Sequence, residues 1–280
     1  MIVVTGAAGV IGRALMARLS AERLPCLVLS RDVFAEAEGI PLLSTVPRRP
    51  SAVVHLAALV PQPPAIPDDD SSAARTRNID QRVLEAVRQW GCHVIYASGC
   101  SLYEKGGTAP KQEREADAAV AQASPYLAAK QQGERDFLAL SNATVLRISA
   151  PIGEGLSRAT VLGRFMEAAQ AGREIEVWGS GTREQNYVDT ADLADALFRT
   201  LIIRPPAIIN IAADRPVTML ELAREVVSAC GRGSIRMTGR PDSRDGESAR
   251  YANQRAGDLL GWRPTTSIHT SLERLKEYVQ

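Results

Sequence analysis

Long apolar runs, paired cysteine motifs, a dominant charge and internal repeats are all missing from this chain of 280 residues. Each absence excludes something. No apolar stretch reaches the roughly 18–20 residues that cross a bilayer as a helix, so no membrane partner is expected. The four cysteines, Cys26, Cys92, Cys100 and Cys230, contain no C-x-x-C, which argues against both a zinc site and a disulfide framework. Basic and acidic residues number 33 and 32, a net +1 that leaves no electrostatic footprint for nucleic acid. Apolar Ile2-Val3-Val4 comes at once, so no signal or transit peptide is expected. A reduced, cytoplasmic protein fits these absences, with length enough for one large domain or a domain and a smaller lobe.

What is present is organised around Thr5-Gly6-Ala7-Ala8-Gly9-Val10-Ile11-Gly12, which follows that first strand and opens a helix with Ile11, Leu15 and Leu19 on its apolar face. A glycine turn between strand and helix aims free N–H groups and the positive helix end at an anion, usually a dinucleotide pyrophosphate. Gly6 makes the tight turn, Gly9 admits the phosphate to the backbone, and Gly12 lets the helix pack closely. Cofactor binding is therefore expected at Gly6, Gly9, Val10, Ile11 and Gly12.

A second strand, Cys26-Leu27-Val28-Leu29, ends at Ser30-Arg31-Asp32. An acid at that place accepts from the adenosine ribose hydroxyls, whereas a base accommodates a 2′-phosphate. Ser30 and Arg31 occupy it, which favours NADP over NAD, with NAD as the alternative. Prolines interrupt Val33–Pro50, where one strand near Ile40–Leu43 is expected. The apolar strand Ala52–Ala58 ends in small residues; His55 within it is expected to be a satisfied core histidine. Pro61–Asp70, rich in proline and acid, is expected to be a surface loop or a lip over the site.

An amphipathic helix from Asn78 to Trp90 puts Ile79, Val83, Leu84 and Val87 on one face and stops at Gly91. The strand His93–Ser98 runs into Gly99-Cys100-Ser101-Leu102-Tyr103. Further on, Ser124 caps a helix with Pro125 in its first turn, and Tyr126 and Lys130 share a face of it. An ammonium beside a phenol is expected to lower its pKa from about 10 towards working pH. Such a phenol exchanges a proton with a substrate oxygen while hydride moves to or from a nicotinamide.

Strands then fall at Ala143–Ile148, Ile175–Trp178 and, last, Ala207–Ala212. Helices are expected at Val161–Ala171, Ala191–Thr200, from a capping box at Thr218–Glu221 to Gly231, and at Ser267–Tyr278. Alternation over the first 150 residues predicts an α/β fold, a doubly wound parallel sheet of Rossmann-like type with a smaller mixed C-terminal substrate lobe. Residues 1–150, rejoined by 186–213, make the dinucleotide-binding domain; 151–185 and 214–280 make the lobe. Arg158, Arg183, Arg244 and Arg250 are candidate anion binders there, with surface charge the plainer alternative for each.

With these motifs in order, the chain resembles the extended short-chain dehydrogenases/reductases, specifically the NAD(P)-dependent epimerase/dehydratase family. Thr5–Gly12, His55–Ala58, Asn78, Tyr126–Lys130, Leu146-Arg147, Arg183–Val188 with Asp192, Asn210 and Leu260–Pro264 carry the resemblance, which covers nearly the whole chain. It implies Tyr126 as acid/base, Lys130 on the nicotinamide ribose, Leu56, Ala57 and Ala58 along the adenosine, and Pro151 and Ile152 near the nicotinamide. It also implies a small-molecule substrate, commonly a nucleotide-activated sugar, and a homodimer formed through the helices around Asn78–Trp90 and Tyr126–Leu140. The expected activity is hydride movement at a carbinol or carbonyl carbon, by an epimerase, dehydratase or reductase. A reductase of a non-sugar substrate is one alternative; a cofactor-binding regulatory or structural protein without turnover is another.

Four positions depart from the family pattern. Gly99 stands where a catalytic Ser or Thr usually does, with Ser98 and Ser101 as candidates to supply the hydroxyl. Ala150 replaces an asparagine, Glu154 a proline and Gln185 an arginine.

Overall fold

The computed structural model describes residues 1–30, 46–62, 64–103, 107–113 and 124–278. Its centre is a six-stranded sheet of β1 (Ile2–Thr5), β2 (Cys26–Leu29), β3 (Ala52–His55), β4 (His93–Gly99), β5 (Ala143–Ile148) and β10 (Ile208–Ile211). The spatial order is β10-β5-β4-β3-β1-β2, and every pairing is parallel. The remaining strands, β6 (Ala150–Ile152), β7 (Glu174–Val177), β8 (Glu184–Gln185), β9 (Tyr187–Asp189), β11 (Val217–Thr218) and β12 (Ser234–Met237), form three two-stranded sheets.

Parallel strands need helical crossovers, and these cover both faces. One face packs Val4, Val54, Ile95, Leu146 and Ile209 against Leu15 and Leu19 of α1 (Val10–Ala21) and Leu193 and Leu197 of α5 (Thr190–Ile203). The other packs Val3, Val53, Val94, Tyr96 and Val145 against Val83, Leu84 and Val87 of α2 (Asp70–Trp90) and Phe137 of α3 (Pro125–Leu138). The alternation of partners along each strand is the period of two in its side chains. The sheet is doubly wound, as expected.

A third core joins α4 (Val161–Gln170), β7, α6 (Met219–Cys230) and α8 (Ile268–Leu275). The helix α7 (Gln254–Leu260) and Trp262 instead belong to the first core, where the Trp262 indole N–H donates to the Asp192 carbonyl at 2.9 Å.

Several boundaries differ from expectation. The helix expected from Asn78 begins at Asp70, because Asp69 caps it by accepting from the Ser72 N–H at 2.8 Å and Ala73 and Thr76 extend its buried face. Small and polar residues there hide the helical period. Strands β11 and β12 follow the one expected to be last, and α7 was not expected at all; all three are too short for a clear period. The strand expected near Ile40–Leu43 and the Arg31 side of the cofactor turn lie outside the described residues. No helix among the described residues is long and apolar enough to cross a membrane, and none of their His, Cys, Asp and Glu side chains group as a metal site.

Candidate active site

Strand order reverses at β1, which has β2 on one side and β3 on the other. In doubly wound sheets the crevice outside the strand ends at such a point takes the ligand, and the glycine turn occupies it. Gly6 has φ +71°, and a Cβ on it would stand 2.7 Å from the Ala57 nitrogen. A Cβ on Gly12 would overlap the Gly6 carbonyl and sit 2.6 Å from the Ala7 Cα. These two glycines let the turn lie flat on Leu56-Ala57 and on its own helix. Gly9, exposed, caps α1 with no side chain of its own, leaving the first-turn N–H groups free for an anion. Val10 and Ile11 start the helix, and Leu56, Ala57 and Ala58 follow β3, all partly exposed. The cradle suits a dinucleotide pyrophosphate. Ser30 is exposed at the end of β2.

Tyr126 and Lys130 lie in the first two turns of α3, whose N-cap is Ser124, accepting from the Leu127 N–H at 3.2 Å. The Pro61–Asp70 tract is tied to this helix: the exposed Asp68 carboxylate accepts from the Tyr126 backbone N–H at 3.0 Å. Lys130 is buried, with its ammonium 3.9 Å from the centroid of the Tyr96 ring. Here one expectation is corrected. The Tyr126 phenol is not lowered but pushed up to about 12, first by burial and then by the charges of Asp80 and Asp68. Lys130 is itself held below the usual lysine value by burial, with Asp80 and Glu134 pulling it back up. Burial disfavours the charged form of both groups, and the nearby carboxylates oppose a phenolate.

Behind the pair lies a chain of buried side chains. Thr5 Oγ1 accepts from the Ala57 N–H at 3.2 Å and lies 2.7 Å from His55 Nδ1. His55 Nε2 lies 2.9 Å from one Asp80 oxygen, and the Tyr96 hydroxyl donates to the other at 2.8 Å. His55 is thus a satisfied core histidine, as expected. A second buried network holds Arg147 by a two-point bond to Glu134 at 2.9 and 2.7 Å, and its guanidinium also donates to the Tyr103 hydroxyl at 3.0 Å. That hydroxyl donates to Asn210 at 2.6 Å. Asp80 and Tyr96 escaped the sequence reading, although a carboxylate one turn before Val83 and Leu84, inside their apolar stripe, is a readable signal. Asn78, which carried part of the resemblance, is exposed; Thr76 and Asp80 face inward instead.

The hydroxyl candidates separate. Ser98 is buried on the Tyr96 side of β4, and neither its Oγ nor that of nearby Ser149 has a partner among the described residues. Buried orphan hydroxyls at a strand end fit a polar ligand such as a nicotinamide nucleotide. Ser101 is exposed, with its Oγ 3.0 Å from where a Cβ on Gly99 would be. Pro151 is half-buried in β6, whereas Ile152 points into the third core.

Three of the candidate anion-binding arginines are already paired: Arg183 with Asp242 at 3.3 Å, Arg244 with Glu247 at 2.7 Å and Arg250 with Glu184 at 2.6 Å. Arg158 lines an open hollow of about 500 Å³ with Arg232 and Lys276, which contains none of the expected catalytic or cofactor-binding residues. Glu154, in the place of the family's proline, reaches Arg13 of α1 at 3.0 Å, and Arg13 also donates to the Ala8 carbonyl in the glycine turn at 3.1 Å.

A parallel sheet with a glycine turn at its switch point and a Tyr-x-x-x-Lys helix beside it defines a nicotinamide-dinucleotide-dependent enzyme class. The model of the NAD dependent epimerase/dehydratase family matches residues 2–212, and the chain belongs to that family. It is 27% identical to a UDP-glucose 4-epimerase of Mycolicibacterium smegmatis, covering 98% of this chain and 97% of that one. It is 24% identical to a dTDP-4-dehydro-6-deoxyglucose reductase of Escherichia coli, over 98% and 96% of the two chains. Among solved structures, the UDP-glucose 4-epimerase of Thermotoga maritima with UDP-glucose superposes with a TM-score of 0.84, at 22% identity over 99% and 97% of the chains. That likeness shows the fold. The chain is an NAD(P)-dependent enzyme of hydride transfer, with epimerases, dehydratases and reductases among its relatives.

Proposed function

We propose that this enzyme moves hydride at a carbinol or carbonyl carbon of a nucleotide-activated sugar, with Tyr126 as the proton-transferring group. One observation carries it: Tyr126 and Lys130 lie one turn apart on α3, with Lys130 packed on Tyr96 of β4, two strands along the same parallel sheet from the β1 glycine turn. Bound nicotinamide supplies or accepts the hydride. Gly6, Gly9, Val10, Ile11 and Gly12 hold the pyrophosphate, with Leu56–Ala58 along the adenosine and Pro151 walling the nicotinamide side, backed by Ile152 in the third core. Lys130 holds the nicotinamide ribose. Tyr126, whose phenol burial and the charges of Asp80 and Asp68 hold above its ordinary value, gives a proton to a substrate oxygen. Ser101 supplies the hydroxyl that Gly99 lacks, and Ser98 contacts the cofactor. Arg31 takes the 2′-phosphate of NADP.

Residues 151–185 and 214–280, apart from α7 and Trp262, which pack on the central sheet, form the substrate lobe, and two copies associate through α2 and α3 in the cytoplasm. With Gln185 for arginine and three lobe arginines paired, the nucleotide phosphates meet fewer free cations than the family pattern provides. Purified enzyme with NADP+ or NADPH and a panel of UDP- and dTDP-sugars, followed by nicotinamide absorbance and product chromatography, tests the assignment. Turnover of a member supports it; turnover only of non-sugar carbonyl compounds overturns the substrate class.

A further inference from the structure

Asp80 is a buried carboxylate that no step above uses. It lies in the middle of α2, 3% exposed, between β3, β4 and α3. A carboxylate so placed costs several kcal/mol unless its oxygens are satisfied. Both are. His55 from β3 meets one oxygen at 2.9 Å and Tyr96 from β4 the other at 2.8 Å. Thr5 completes the chain on the far side of His55: its oxygen already accepts from Ala57, so its hydrogen is free for Nδ1, leaving the Nε2 hydrogen for Asp80. Burial raises Asp80, but the donors at both oxygens and the nearby Lys130 ammonium favour the ionised carboxylate and hold it below the usual aspartate value.

The approach of α3 to this cluster is itself built. A Cβ on Gly133 would overlap the Tyr96 hydroxyl and stand 2.7 Å from an Asp80 oxygen. Only glycine lets the helix that carries Tyr126 and Lys130 come this close. The other charges facing the pair are accounted for. Glu134, on the same helix, is matched by the two-point bond from Arg147. Asp68 is exposed, so solvent and salt screen it. Tyr96 is neutral, its hydroxyl kept well above the usual phenol value by burial and by Asp80.

We propose that Asp80 is a positioning residue for the Tyr126/Lys130 pair: its carboxylate, clamped by His55 and Tyr96, is the fixed buried charge that favours an ammonium at Lys130 and opposes a phenolate at Tyr126. This rests on the assignment of Tyr126 as the proton-transferring group.

The test reads the phenol directly and needs no substrate. Tyrosinate absorbance is titrated from about pH 9 to about pH 12, a range that takes in the ordinary phenol value of about 10, in wild-type protein, Asp80→Asn and Tyr96→Phe, each with and without Tyr126→Phe so that the difference isolates the Tyr126 signal. Asp80→Asn is expected to lower the Tyr126 midpoint by roughly one unit or more, so that Tyr126 ionises where the wild type does not. Tyr96→Phe breaks the same network but keeps the charge, and is expected to leave Tyr126 protonated. No added tyrosinate in Asp80→Asn, or an equal increase in Tyr96→Phe, overturns the proposal. If Asp80→Asn does not fold, Asp80→Thr replaces it under the same criteria. Full turnover by Tyr126→Phe would instead overturn the assignment of Tyr126, an outcome separate from the titration.

Discussion

The Lys130 ammonium sits 3.9 Å from the centroid of the Tyr96 ring, with the Asp80 carboxylate bound to the far end of that ring. The aromatic face and the buried carboxylate replace the water that a lysine ordinarily keeps. Tyr126, one turn earlier on α3, shares these surroundings.

Tyr126→Phe removes the proton and little else. Cofactor affinity is expected to persist, because the glycine turn is untouched, while kcat falls roughly 10²–10⁴-fold, the usual share of general acid–base catalysis. Cofactor titration by fluorescence alongside steady-state rates separates the two effects.

Gly133→Ala drives a methyl group into the Tyr96 hydroxyl and Asp80. Backbone of α3 must move, since both neighbours are buried. A loss of about 1–3 kcal/mol is expected, as for other overpacked cores. Because the shift moves Lys130 and Tyr126, kcat is expected to fall as well. Thermal melts and rates on one preparation check both.

The pattern of strands and helices was readable because apolar runs of four to six residues mark parallel strands buried on both faces, as at Ala52–His55 and Ala143–Ile148. The glycine turn and the Tyr-x-x-x-Lys helix were readable because each lies within a few consecutive residues. Asp80 was not, because its meaning depends on His55 and Tyr96, which only the fold brings to it. The direction of the Tyr126 shift failed for the same reason: helical spacing reveals Lys130 but neither the burial nor the two carboxylates. The start of α2 was hidden by Ser71, Ser72, Arg75 and Thr76, whose helix comes from a cap and not from an apolar period.

Arg31→Asp tests the cofactor preference. If its guanidinium meets a 2′-phosphate, affinity for NADP is expected to fall at least tenfold, as loss of a charge-assisted contact predicts, with little loss for NAD. Isothermal titration with both cofactors measures the ratio. Equal losses would make Arg31 a bystander.

His93 gives the fold a pH dependence independent of the active site. It is buried beside Thr144 at 2.9 Å, and burial lowers its pKa from 6.5 to about 4. The folded state therefore binds fewer protons than the unfolded chain between those values. Stability from this group is full above 6.5 and is lost as pH falls towards 4. The stability at stake over this window is on the order of a few kcal/mol at most. Melting temperature is expected to drop over this window in the wild type and to be flatter in His93→Gln.

The missing hydroxyl can be moved back. Gly99 has φ −134°, extended backbone open to any residue, and a Cβ there meets only the exposed Ser101 Oγ closely, at 3.0 Å. If Ser101 serves the substrate oxygen, Ser101→Ala is expected to lower kcat roughly 10²-fold or more while leaving cofactor binding intact, the cost of one hydrogen bond made in the transition state. Gly99→Ser with Ser101→Ala then puts a hydroxyl in almost the same space from the other residue. Recovery of most of the lost rate in that double variant is expected, measured as kcat against Ser101→Ala alone. Ser98→Ala is the control, since its buried Oγ lies on the Tyr96 side of β4. An effect on cofactor affinity is expected there, without rescue by Gly99→Ser. A rate unaffected by Ser101→Ala would return the hydroxyl role to Ser98.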